Sequence, residues 1–208
     1  MRKPQAAENR PYHHGDLRRA LIEAARRLLE TEGPSALSLR AVAREAGVSP
    51  AAPYHHFKDK SELLDAVAHE GWQMLNVSLA KAREVATSMH ERLVSLGAAY
   101  VAFARENAAL YRVMYESSRE RESLPQSAAD QDGLYYRVRN GLIEAGADPT
   151  DWVGLELASV AIWCATHGVA EMAAFPQFQS LKDAAGGEDA FVRGVFEHMG
   201  IFAKGLRL

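Results

Sequence analysis

The chain has 208 residues, 48% of them hydrophobic and 25% charged, with a formal net charge of -3. These proportions suit a globular protein that buries a sizeable core, and they exclude a disordered, collagenous or disulfide-rich chain. Cys164 is the single cysteine, which rules out an internal disulfide framework and fits a reducing compartment. The charge is uneven. Residues 1–64 carry 11 Lys/Arg against 8 Asp/Glu, a surplus of three, and the remainder carries 13 against 19, a deficit of six. A basic front on an acidic body suggests a local nucleic-acid surface. No secretory signal is expected, because the amino terminus lacks an apolar run before a cleavage site. The most apolar run, residues 157–170, lies between Glu156 and Glu171. At 14 residues it is short for a bilayer and reads as a buried helix. The expectation is a cytoplasmic, all-α protein with no membrane contact.

Residues 1–15 are polar and basic and read as a flexible arm. From Asp16, Leu17, Leu21, Ala24, Ala25 and Leu28 recur at helical spacing until Gly33-Pro34 stops the pattern. A short helix follows, capped by Ser38, with Leu39, Val42, Ala43 and Ala46 inward and Gly47 at its end. After a tight turn, a second short helix is predicted, with Ser49 as its cap and Pro50 at its first position. Asp59 and Glu62 have capping-box spacing and open a long helix whose inner face is Leu63, Leu64, Val67, Gly71, Met74 and Leu75. Further helices are predicted over 89–106, 107–117, 131–146, 150–174 and 188–206. Polar loops are predicted over 118–130 and between Pro176 and Gly186-Gly187.

Residues 38–60 read SLRAVAREAGVSPAAPYHHFKDK. A helix, a glycine-ended turn and a second helix too short to spend much surface on packing form the geometry of a recognition element for a major groove. This stretch, ending in Tyr54-His55-His56-Phe57-Lys58-Asp59-Lys60, resembles the DNA-binding signature of the TetR family, and with the first helix the resemblance covers about residues 16–64. It implies a three-helix helix-turn-helix domain over 16–62 and a larger helical ligand-binding and dimerisation domain over 63–208. It also implies that Ser38 and Arg40 touch phosphates. Pro50, Ala51, Ala52 and Tyr54 face DNA, His55 or His56 reaches a phosphate or base edge, and Lys60 neutralises a phosphate. Pro53 stands where the family usually has leucine or isoleucine, and it removes a backbone donor.

Residues 107–116, NAALYRVMYE, and Trp163 with His167-Gly168 are similar to a TetR subgroup marked by a tryptophan shortly before a His-Gly pair. That similarity implies double-stranded operator DNA, a small-molecule effector and a second copy of the chain as partners, with repression as the mode. Trp72, Tyr100, Phe103, Met114, Tyr115, Trp163 and Phe175 are candidates to line a ligand site, and His167 is the polar candidate; each can equally be plain core. A small, largely apolar ligand is expected between the helices at 60–84, 89–117 and 150–174. The helix over 152–174 is apolar on nearly all sides and is expected to be buried all round. Phe191, Val195, Met199 and Phe202 form an apolar stripe on the last helix, which is core or interface, and they are expected to form the dimer interface.

Enzyme readings lack support. Cys164 and His167 are three apart, but no orienting group or oxyanion site accompanies them. The pairs His13-His14 and His55-His56 point apart on a helix and have no further ligand at metal spacing, so no metal or other cofactor is expected. The other reading left open is a helical binding or structural protein with ligand-independent or degenerate DNA binding.

Overall fold

The computed structural model describes residues 14–84, 88–119, 134–144 and 146–199. Among these residues there are nine α-helices and no strand: α1 (His14–Glu32), α2 (Leu39–Glu45), α3 (Lys60–Glu84), α4 (Met89–Glu106), α5 (Ala108–Arg119), α6 (Leu134–Glu144), α7 (Trp152–Ala173), α8 (Gln179–Ala185) and α9 (Glu188–His198). They form two compact units divided between Val67 and Ala68, inside α3.

In the first unit, α1 turns Leu21, Ala24, Ala25, Leu28 and Leu29 inward, and α2 adds Leu39, Val42 and Ala43. Phe57, Leu63 and Val67 complete this core. Arg18 lies over the Phe57 ring at 5.3 Å, and Arg27 Nε reaches Glu45 Oε1 at 2.9 Å, tying α1 to α2. Helix α2 begins where the Ser38 hydroxyl accepts the Ala41 N–H at 3.1 Å. At its other end, the Gly47 N–H donates to Arg44 O and the Val48 N–H to Ala43 O. Gly47 holds φ 68°, the left-handed conformation that this paired capping pattern requires and that a Cβ disfavours.

The second short helix takes a different form from the expected one. A turn through Pro50 and Ala51 leads into a 3-10 helix, Ala52–His55, with no side-chain cap at Ala51. Pro53 is the reason. In an α-helix starting at residue 50 its ring would press on the Ser49 carbonyl and it would have no N–H to give, and it also biases Ala52 away from α geometry. Shorter i,i+3 bonds replace the α pattern: Ala52 N–H to Ser49 O at 3.0 Å, Tyr54 N–H to Ala51 O at 3.2 Å and His56 N–H to Pro53 O at 2.9 Å. The Pro53 ring is fully buried and so fills the aliphatic position by other means.

In the second unit, α4 packs against α7 and α9, α6 against α7, and α8 against α9. One core cluster joins Val94 and Val101 of α4, Val169 and Ala173 of α7, and Val192 and Phe196 of α9. A smaller one joins Leu142, Ala147 and Leu155. Arg83 holds Glu144 through both carboxylate oxygens at 3.1 and 2.9 Å, linking α3 to α6. Gly71 lets the Met114 side chain press on α3: a Cβ there would lie 2.6 Å from Met114 Sδ.

Two further expectations change. The stretch before Gly186 contains α8, ended by Gly186 at φ 94°. Its Lys182 is 6% exposed and reaches the half-buried Glu188 at 3.8 Å, an ion pair between α8 and α9 in a segment that looked like loop. Helix α7 is not buried all round: Val153, Leu157, Val160 and Met172 are exposed on it, Leu157 by 67%. By length and composition α7 is long and apolar enough to cross a membrane. It nevertheless carries Glu156, paired with Arg139 at 3.7 Å, and packs against α4, α6 and α9, as a core helix does.

Candidate functional site

The first unit presents the residues expected to face DNA on a short stretch of rigid backbone. Arg40, Pro50, Ala51, His55 and Lys60 are exposed, Ala52 is half-buried, and Tyr54 is 55% exposed. Ser38 is exposed, but its hydroxyl already serves as the α2 cap. Lys60 Nζ donates to the Pro34 carbonyl at 3.2 Å, so an anion would have to displace a weak neutral contact. His56 departs from expectation. Its ring packs at 6.5 Å from Phe57, and its Nε2 is buried without a hydrogen-bond partner, which leaves His55 as the outward-facing histidine. The start of α3 is closed by the Glu62 N–H donating to Asp59 Oδ1 at 3.0 Å and the Lys58 N–H to Glu62 Oε2 at 2.6 Å.

The second unit gathers aromatic rings with polar tips. Tyr100 comes from α4, Tyr111 and Tyr115 from α5, and Trp163 and His167 from α7. Trp163 Nε1–H donates to the Tyr115 hydroxyl at 2.8 Å. The Tyr115 hydroxyl bonds the Tyr100 hydroxyl, which bonds that of Tyr111 at 3.2 Å. The Tyr111 hydroxyl meets His167 Nδ1 at 2.5 Å. The rings touch as well: Tyr115 lies 4.4 Å from His167, 4.8 Å from Tyr111 and 6.1 Å from Trp163, and Trp72 of α3 meets it edge-on at 5.5 Å. Tyr100 and Tyr111 are buried, whereas Tyr115, Trp163, His167 and Trp72 are half-buried. Burial, the largest cause in each case, pushes all three phenols above their usual range, so they are neutral hydrogen-bond donors throughout the physiological range.

The structure therefore joins Trp72, Tyr100, Tyr115, Trp163 and His167 in one cluster. Phe103 and Met114 are 4% and 0% exposed in the helix packing, and Phe175 is 41% exposed on the surface. Tyr111, the hydroxyl that joins Tyr100 to His167, escaped the sequence reading; its i,i+4 spacing from Tyr115 on one helical face is the signal that could have found it. Of the stripe on α9, Phe191, Val195 and Met199 are half-buried against the core cluster, Phe191 stacking on Phe178 at 5.9 Å. Phe202 lies outside the described residues, as do the arm up to residue 13 and the loop from 120 to 133.

Comparison with known proteins places these two units. The family profile described as "Bacterial regulatory proteins, tetR family" matches residues 21–67, and that described as "Tetracyclin repressor-like, C-terminal domain" matches residues 93–195. The HTH-type transcriptional regulator BetI of Rhizobium meliloti (strain 1021) is 31% identical over 110 residues, 51% of this chain, and the match spans 54%, about half, of that protein's length. A protein of unknown function from Rhodococcus sp. RHA1 superposes with a TM-score of 0.71 at 32% identity, over 91% of this chain and 96% of that one. A tetR-family transcription regulator from Shewanella sp. PV-4 shares the fold, with a TM-score of 0.60 at 18% identity over 86% of this chain and 95% of that one. With its amino-terminal unit matching one TetR profile and its carboxy-terminal unit matching the other, this chain belongs to the TetR family of bacterial regulatory proteins.

Proposed function

We propose that the chain is a cytoplasmic, homodimeric, DNA-binding transcriptional repressor that a small molecule releases from its operator. The observation that carries the DNA reading is the turn at 50–55. Its backbone bonds are satisfied internally, its Pro53 is anchored in the core, and Tyr54 and His55 stand outward with Arg40 and Lys60 exposed in the same unit. That arrangement spends its packing on one side and offers the other to a groove and its phosphates. The effector reading rests on the aromatic cluster of the second unit, with its half-buried rings and donor hydroxyls. Helix α3 contributes residues to both units, which makes it the element through which a ligand could act. A ligand shifts operator affinity only by binding two states differently, and a coupling of about 1–3 kcal/mol corresponds to roughly 5–150-fold.

The dimer surface we assign to the outer face of α7, where Val153, Leu157 and Val160 stand exposed at i, i+4 and i+7, together with the half-buried flank of α9. Exposed apolar stripes of this kind mark contact surfaces, and a two-fold dimer reads two half-sites. Replacing Leu157 and Val160 by glutamate should give helical monomers in sedimentation at micromolar concentration.

The test of DNA binding is fluorescence anisotropy on the DNA flanking the protein's own gene. Tyr54→Ala and Lys60→Ala should both weaken binding, and Lys60→Ala should flatten the log–log salt dependence by about one unit because one phosphate contact is lost. Unchanged affinity in both variants would remove the assignment.

A further inference from the structure

The hydrogen bonds among Trp163, Tyr115, Tyr100, Tyr111 and His167 form an unbranched line of four links, with Trp163 Nε1 at one end and His167 Nδ1 at the other. Each link needs one proton. The indole gives one and can only donate, and each phenol has one. Four protons fill four links only if every hydroxyl accepts from the Trp163 side and donates toward His167. The last acceptor is then a bare Nδ1, and this neutral imidazole with its proton on Nε2 is the arrangement that leaves no donor of the line unpaired. The line is closed and one-directional.

Protonating Nδ1 breaks this count. The imidazolium donates to Tyr111, five protons compete for four links, and one phenol must turn its hydrogen out of the line. Tyr100 and Tyr111 are 2% and 4% exposed and have no room to do so, whereas Tyr115 is half-buried. Reversal of the three tyrosine and histidine links leaves Tyr115 accepting from both neighbours, with its own hydrogen directed outward among the rings of Trp72, Trp163 and His167. An outward phenol donor beside an imidazolium, with the Trp72 and Trp163 rings at its sides, matches an oxygen anion on a planar body. Neither charge is then left alone in the low dielectric.

We propose, on the effector reading above, that this cluster takes up a small planar carboxylate together with one proton on His167, the Tyr115 hydroxyl donating to the carboxylate. The groups facing His167 are Tyr111 and Tyr115 of α5 and Tyr100 of α4 through the hydroxyl line; Glu171 and Cys164 stand one turn away along its own helix, and Trp72 of α3 carries no charge. Burial is the main cause that raises the pKa of Tyr111 and of Tyr115, and the charge of Glu171, one turn along α7, adds to it.

The experiment is calorimetric titration of sodium benzoate into the full chain from about pH 6 to about pH 8.5, in two buffers of different ionisation enthalpy, with benzyl alcohol as the neutral comparator. Benzoate should bind with uptake of close to one proton, its Kd weakening about tenfold per pH unit on the alkaline side. His167→Gln keeps an acceptor for Tyr111 but cannot titrate, and should make benzoate binding independent of pH. Tyr115→Phe should lose tenfold or more in benzoate affinity at the acid end. Nitrogen-15 chemical shifts of the ligand-free protein at about pH 8 should show His167 as the Nε2–H tautomer, a readout that needs no variant to fold. Benzoate binding with no proton uptake, no benzoate binding at millimolar concentration, or a proton on Nδ1 in the free protein would each overturn the proposal. If benzyl alcohol bound and released operator DNA while benzoate did neither, the effector reading would stand and the carboxylate would fall; if operator DNA did not bind at all, the reading beneath it would fall.

Discussion

The turn at 50–56 and the cluster around Tyr115 handle polar groups in opposite ways. In the turn the backbone satisfies itself, and the side chains that matter, Tyr54 and His55, are left outside with water as their partner. In the cluster the polar tips of five side chains are folded inward and paired with each other. An exposed group loses little when its partner is absent, so its contribution appears only on binding. A buried group is already committed, and removing one member exposes the desolvation cost of the next. Stability measurements should therefore register the cluster strongly and the turn weakly, and binding measurements should register the turn.

The largest expected effects lie in the packing that supports each region. Phe57→Ala beneath the turn and Phe196→Ala in the core of the second unit each remove a fully buried ring and should cost roughly 3–5 kcal/mol in urea unfolding. A much smaller loss at Phe57 would mean that the turn is not held from beneath. Next comes Tyr115→Phe, which leaves the Trp163 N–H and the Tyr100 hydroxyl without their shared partner. Its expected cost is about 1–3 kcal/mol, and a neutral result would show that water replaces the hydroxyl. Ser38→Ala deletes the cap bond to Ala41 and should cost about 1 kcal/mol, visible as a lowered Tm. Tyr54→Phe should change stability by less than about 0.5 kcal/mol while weakening operator binding. A stability loss comparable to that of Tyr115→Phe would erase the contrast between the two regions.

Much of this was readable from the sequence because it is set locally. The periodic apolar residues of α1, the Ser38 cap and the Gly47 stop each need only their immediate neighbours to specify helix boundaries. What escaped needed information beyond apolar periodicity. Pro50 at a helix start looks favourable until the ring of Pro53 meets the Ser49 carbonyl three-dimensionally, so an α-helix was expected where a 3-10 helix forms. Composition showed α7 to be apolar but could not separate core from contact surface, since Leu155 and Leu157 are the same residue type on opposite faces. Tyr111 was not singled out because its importance lies in two partners, Tyr100 eleven residues away and His167 fifty-six residues away. In the small helix α8, Lys182 pairs with Glu188, a pairing no periodicity announces.

Pro50 and Pro53 fix the backbone φ angle twice within four residues, and the buried ring of Pro53 pins the second of them. The segment therefore has little configurational freedom to surrender when it meets a rigid surface. A flexible reader would fold as it binds, and its association would carry a large negative heat-capacity change and an unfavourable entropy from that ordering. Here the heat-capacity change of docking should track only the apolar area covered, chiefly around Pro50, Ala51 and Tyr54. Restoring leucine at Pro53 would return that freedom, and the binding enthalpy would then vary more steeply with temperature.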